Sequence, residues 1–111
     1  MYYVAVAMKT FTLEAQGPVI ASSADVSNLI GQTWGQAVDS IVVPVSRLHA
    51  DFFDLKTGFA GELLQKLVNH QLKLVVVGDV SAHVARSDAF RDFVREAQRG
   101  TQVRFVDAVR E

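Results

Sequence analysis

The chain has 111 residues, half of them apolar and 21% charged, with seven glycines, two prolines and no cysteine. That size and composition fit one folded domain with a true core, and they exclude a disordered or collagen-like chain. Eleven Lys and Arg balance twelve Asp and Glu for a formal charge of -1. This argues against a nucleic-acid binder or a membrane anchor acting through bulk positive charge. The missing cysteine removes disulfides, thiolate nucleophiles and cysteine zinc sites, and is compatible with a reducing cytoplasm.

Met1 to Met8 is apolar but lacks the basic flank of a signal peptide, and Lys9 follows it. Its Tyr and Val content reads as a strand. Phe11–Leu13 reads as a second strand, close enough to the first for a hairpin. The Gln16-Gly17-Pro18 turn then leads to a strand at Val19–Ala21. Ser22, Ser23 and Asp25 offer caps for a first helix, in which Val26, Leu29, Ile30, Thr33 and Ala37 recur at helical spacing with Trp34 on the same face.

Ile41–Val45 is a continuous apolar run expected of a doubly covered strand, with Pro44 near its end. Gly58–Asn69 reads as a second helix with a broad apolar face, and Leu72–Val77 as a buried strand stopped by Gly78-Asp79. Ser87 caps a third helix over Asp88–Arg99, for which Gly100 supplies a left-handed stop. Phe90, Phe93, Val94 and Ala97 make its inner stripe. Asp88–Arg91, Asp92–Arg95 and Glu96–Arg99 pair at i,i+3 outside, so a solvated face is expected rather than an anion-binding stripe. Val103–Val106 is the last strand. The alternation predicts an α/β domain over residues 1–111, with a four- to five-stranded mixed sheet, a parallel core and three main helices.

Residues 49–66, HADFFDLKTGFAGELLQK, concentrate charge, glycine and aromatics after a buried strand and before a helix, where α/β sheets bind ligands and partners. Thr57 is the expected N-cap, with Gly58 and Gly61 in the first turn. Each interior glycine costs a helix about 0.8–1 kcal/mol relative to alanine. Two explanations stand: close approach of a partner or an anion, aided by Lys56, or tight packing of the helix on its own neighbours.

The segments FFDLKTGFAGELLQK, KLVVVGD, SDAFRDFVREAQRG and VRFVDA together resemble a bacterial family termed domain of unknown function 4180, over roughly residues 10–107. That resemblance implies the fold and a bacterial source but brings no activity. The order strand, loop, helix, strand, helix is also similar, more distantly, to the STAS domain of anti-sigma-factor antagonists. By that likeness Thr57-Gly58 takes the place of the phosphorylated Ser-Gly of the Asp-Ser-Ser-Gly motif, and Asp54 that of its acid. The loop here is one residue longer and carries Lys56. The resemblance thus implies possible phosphorylation at Thr57, set against Thr57 as a simple helix cap.

His49, His70 and His83 lie on separate connections without metal-ligand spacing, so no metal site is expected. No Walker loop, dinucleotide fingerprint or Gly-x-Ser-x-Gly elbow occurs, and no cofactor is implied. Asp79 could be a ligand-binding acid at a strand end or could cap a turn with Ser81. Only four of the 23 charged residues fall in residues 1–45, namely Lys9, Glu14, Asp25 and Asp39. Part of that region is therefore a candidate homodimer interface anchored by Tyr2, Tyr3 and Trp34.

The expectation is a non-enzymatic, regulatory protein-interaction module that docks an unidentified partner through Asp54, Lys56, Thr57, Gly58, Gly61 and Glu62. No catalytic residue is assigned on that reading, and neither nucleic acid nor membrane is a partner. The alternative is a small hydrolase or transferase using His49, Asp51, Asp54 and Lys56.

Overall fold

The computed structural model describes residues 9–107. They form an α/β unit whose four strands are β1 (Thr10–Thr12), β2 (Ser40–Pro44), β3 (Lys73–Val77) and β4 (Val103–Val106). The strands lie in the order β1-β2-β3-β4, and every neighbouring pair is parallel. The helices are α1 (Ser23–Gly31), α2 (Phe59–Asn69), α3 (Ser81–Arg86) and α4 (Asp88–Ala97), with single 3₁₀ turns at Val45–Arg47, Ala50–Phe52 and Leu55–Thr57.

Each strand is laid beside its predecessor in one sense, so right-handed crossovers put all the connecting helices on one face. Phe11, Ile41, Leu74 and Val103 are aligned across that face, as are Val43, Val76 and Phe105. They join Val26, Leu29, Ile30, Phe59, Leu63, Leu67 and Phe90 of the helices in one hydrophobic cluster. On the opposite face Ser40 is only 1% exposed, and its Oγ has no hydrogen-bond partner.

The helix starts follow their chemistry. Ser22 Oγ accepts the Asp25 N–H at 3.1 Å, while the Asp25 carboxylate accepts the Ala21 N–H at 3.0 Å, so two donors at the start of α1 are satisfied reciprocally. Ser87 Oγ accepts the Phe90 N–H at 3.1 Å to start α4.

Several expectations change. The expected strand at Met1–Met8, and with it the hairpin that would make the sheet mixed, lies outside the described residues; within them the sheet is wholly parallel. Val19–Ala21 contributes only a single parallel bridge, Ile20 to Leu48. The preceding turn is instead held by Arg47, which donates to the Pro18 and Glu14 carbonyls at 2.7 and 2.9 Å. The first helix ends at Gly31, and turns follow through Ala37, whose φ is 55°. Trp34 is consequently 70% exposed rather than on a buried face. Gly100 is not left-handed: α4 unwinds through two i→i−3 bonds, Arg99 N–H to Glu96 O and Gly100 N–H to Ala97 O. The fourth helix, α3, fills a stretch expected to be a connection.

Candidate functional site

Between β2 and α2 the chain folds into a knot of short-range bonds anchored by two phenylalanines. Phe52 and Phe53 are buried in the core, which leaves the polar residues between them and α2 on the rim. The Asp54 carboxylate accepts the Lys56 N–H at 3.3 Å. Thr57 Oγ1 accepts the Phe59 N–H at 3.2 Å, and its one proton faces the Asp51 and Asp54 carbonyls, each at 2.9 Å. Gly58, at φ 79°, is the residue that caps α2, so Thr57 sits one position earlier than the sequence suggested. A left-handed turn costs an L-residue with a side chain roughly 1–2 kcal/mol, which explains glycine there.

Gly61 is different. It has ordinary helical geometry, is exposed, and a Cβ built on it would meet nothing within 4 Å. Tight packing against the described residues is therefore not its reason. Thr57, Gly58, Gly61 and Glu62 all stand exposed along this start of α2.

The other half of the site comes from the turn after β3. At φ 131°, Gly78 lets that turn pass Val45, whose Cγ2 would lie 3.0 Å from an added Cβ. The Asp79 carboxylate then accepts the Ser81 N–H at 2.8 Å. Ser81, through its hydroxyl and its N–H, holds the Asp79 carboxyl below the usual carboxylate range. Asp79 is thus a turn residue that launches α3. That short helix lays the His83 ring flat on Phe53, with centroids 3.8 Å apart and planes within 6°. Phe90 meets Phe53 edge-on at 5.5 Å.

The two halves enclose a cleft of about 410 Å³ lined by Ala50, Phe53, Asp54, Lys56, His83, Arg86 and Ser87. It opens on the side of the sheet where β2 and β3 end, the customary ligand side of parallel α/β folds. The sequential strand order offers no crevice at a reversal of direction, so the cleft is made by the 3₁₀ turns rising against α3. An Arg86 Nη2 lies 3.4 Å from His83 Nδ1. Arginine can only donate, so Nδ1 accepts and the imidazole proton sits on Nε2. Burial first, and Arg86 second, push the His83 pKa below the usual histidine range.

Of the residues singled out in the sequence, Asp54 and Lys56 line this cleft, whereas Gly58, Gly61 and Glu62 form the rim beside it. His49 and Asp51 turn to each other: His49 Nδ1 accepts the Asp51 N–H at 3.0 Å. An ion pair between the same Nδ1 and the Asp51 carboxylate, 3.6 Å apart, would require a proton where that bond requires a lone pair. The shorter contact is the one to the Asp51 N–H. The four members of the proposed hydrolase cluster are therefore split into two pairs, only one of which faces the cleft. Sequence reasoning passed over Phe53, His83, Arg86 and Ser87 as site residues. Among the described residues no cluster of three His, Asp or Glu side chains could hold a metal ion. Tyr2 and Tyr3 lie outside the described residues.

A family model described as Domain of unknown function (DUF4180) matches residues 6–111. The chain belongs to that family. No curated protein and no solved structure gave a match. The match takes in both halves of the cleft and the rim, so the site of this DUF4180 chain lies within the shared domain. No described helix is long and apolar enough to cross a membrane.

Proposed function

We propose that this DUF4180 chain is a non-enzymatic regulatory module that docks a protein partner through the rim formed by residues 51–66. Gly61 carries the reading. A helix-weakening residue on an exposed face, where an added Cβ would meet none of the described residues within 4 Å, is accounted for by a partner backbone that comes closer than a side chain would allow. Lys56 and Glu62 flank the approach and supply orientation. The likeness to STAS domains supports the same loop and helix as the docking element, in a cytoplasmic bacterial protein. Thr57 enters as a structural residue, since phosphorylation would remove the proton that faces Asp51 and Asp54. A homodimer through Trp34 is a separate, compatible arrangement, supported by the exposure of that ring. The hydrolase reading has less support because His49 and Asp51 do not face the cleft with Asp54 and Lys56.

The test is affinity capture from the cell that makes the protein, with wild type, Gly61→Ala and Gly61→Arg as baits. A specific partner held by wild type and lost with Gly61→Arg, at an undiminished melting temperature, is expected. Hydrogen exchange on the purified complex should then slow at 54–66. Capture of the same proteins by Gly61→Arg overturns the reading.

A further inference from the structure

We propose that the cleft between the 50–57 turns and α3 binds the phosphate group of a small molecule. The argument starts from an imbalance of donors. Lys56, His83, Arg86 and Ser87 line the cleft with groups able to donate, whereas Asp54 is its only carboxylate among the described residues. Ser87 Oγ accepts the Phe90 N–H, which leaves its own hydrogen free to donate. His83 carries its hydrogen on Nε2, as argued above. Arg86 spends Nε on the Ala82 carbonyl at 3.3 Å and one Nη2 hydrogen toward His83, leaving Nη1. Lys56 has three donors on Nζ. A surface that offers so many hydrogens and so few acceptors suits a ligand made mostly of acceptor oxygens.

Charge points the same way. Arg91 and Arg95 of α4, and Arg99 just past its end, each have a carboxylate within 4.0 Å, three residues earlier. Among the described residues neither Lys56 nor Arg86 has one. With His83 neutral, Lys56 and Arg86 against Asp54 leave one positive charge in excess, focused in a recess rather than spread on an open face. A phosphate dianion, with more acceptor sites than a carboxylate, uses the donors more fully. The volume, about 410 Å³, lies within the roughly 300–1,000 Å³ of small-molecule sites and leaves room beyond the phosphate itself.

The inference goes beyond the docking reading and does not depend on it. The experiment is an NMR titration of the whole chain with inorganic phosphate and with glycerol phosphate, against acetate and chloride at matched ionic strength. Saturable shifts at Lys56, His83, Arg86 and Ser87 are expected with a Kd near or below about 1 mM, together with an upward move of the His83 titration midpoint. Arg86→Gln and Lys56→Gln, both exposed, should each weaken binding about tenfold. Asp54→Asn should tighten it, because it removes a like charge, and Arg95→Gln should leave it unchanged. Glycerol phosphate should bind at least as tightly as inorganic phosphate. Shifts that never saturate, acetate binding as well as phosphate, exclusion of the ester, or undiminished binding by Arg86→Gln would each overturn the proposal. Gly61→Arg should bind phosphate like wild type, so the two readings fail separately.

Discussion

The outer face of α4 and the cleft beside α3 carry similar side chains in opposite settings. On α4 every arginine is neutralised by an acid one turn earlier in the same helix, and the face is solvated. Beside α3, Lys56 and Arg86 come from segments thirty residues apart and face a recess in which, among the described residues, Asp54 is the one carboxylate. The difference teaches that charge count says little about a binding surface; what matters is whether local spacing has already satisfied the charges.

The strongest way to break the comparison is to remove the aromatic base that both regions share. Phe90, fully buried, touches Phe53, His83, Phe93 and Phe105. Phe90→Ala should cost about 3–5 kcal/mol in urea unfolding and should erase the close stacking shift of His83 in NMR spectra. Gly78→Ala attacks the cleft alone, since the new Cβ meets Val45 at a backbone angle that L-residues avoid. We expect a loss of about 1–3 kcal/mol, with the α3 amides exchanging faster than those of α4. In the opposite direction, Gly61→Ala should stabilise α2 by about 0.5–1 kcal/mol, read as a higher urea midpoint at unchanged slope. Losing a pair on α4 should hardly register: Arg95→Gln should shift stability by less than about 0.5 kcal/mol.

Acid sharpens the contrast further. Because the folded protein holds His83 below the ordinary 6.5, the unfolded chain takes up this proton first. The contribution of neutral His83 to stability is therefore complete above about pH 6.5 and is lost as pH falls through the lower folded value. An NMR titration should place its midpoint below 6.5, and Arg86→Gln should raise it. A midpoint at or above 6.5 would contradict the packing of this ring.

Much of the fold was legible because it rests on local signals. The period of Phe90, Phe93, Val94 and Ala97, the Ser87 cap and the apolar runs at Ile41 and Leu74 each specify an element within a few residues. The end of α1 was not legible, because Trp34 and Ala37 keep helical spacing although the helix stops at Gly31. The site was half legible. Asp54, Lys56 and Gly61 stand out in a crowded segment, whereas His83 and Arg86 occupy an ordinary stretch and gain meaning only when β3 delivers them opposite Phe53. One cue was available: Gly78-Asp79-Val80-Ser81 is a turn followed by a helix start, and it implied an extra helix whose side chains overlook the preceding loop.

The strand order has a consequence for synthesis. Among the described residues, each strand after β1 docks on the one completed just before it, so this sheet can be extended in the direction in which the ribosome delivers the chain. A nascent chain ending at Gly78 already contains three of the four described strands but lacks the α3 side of the cleft. The cleft is completed only by the next eight or nine residues to emerge, which bring His83, Arg86 and Ser87 to a scaffold already in place.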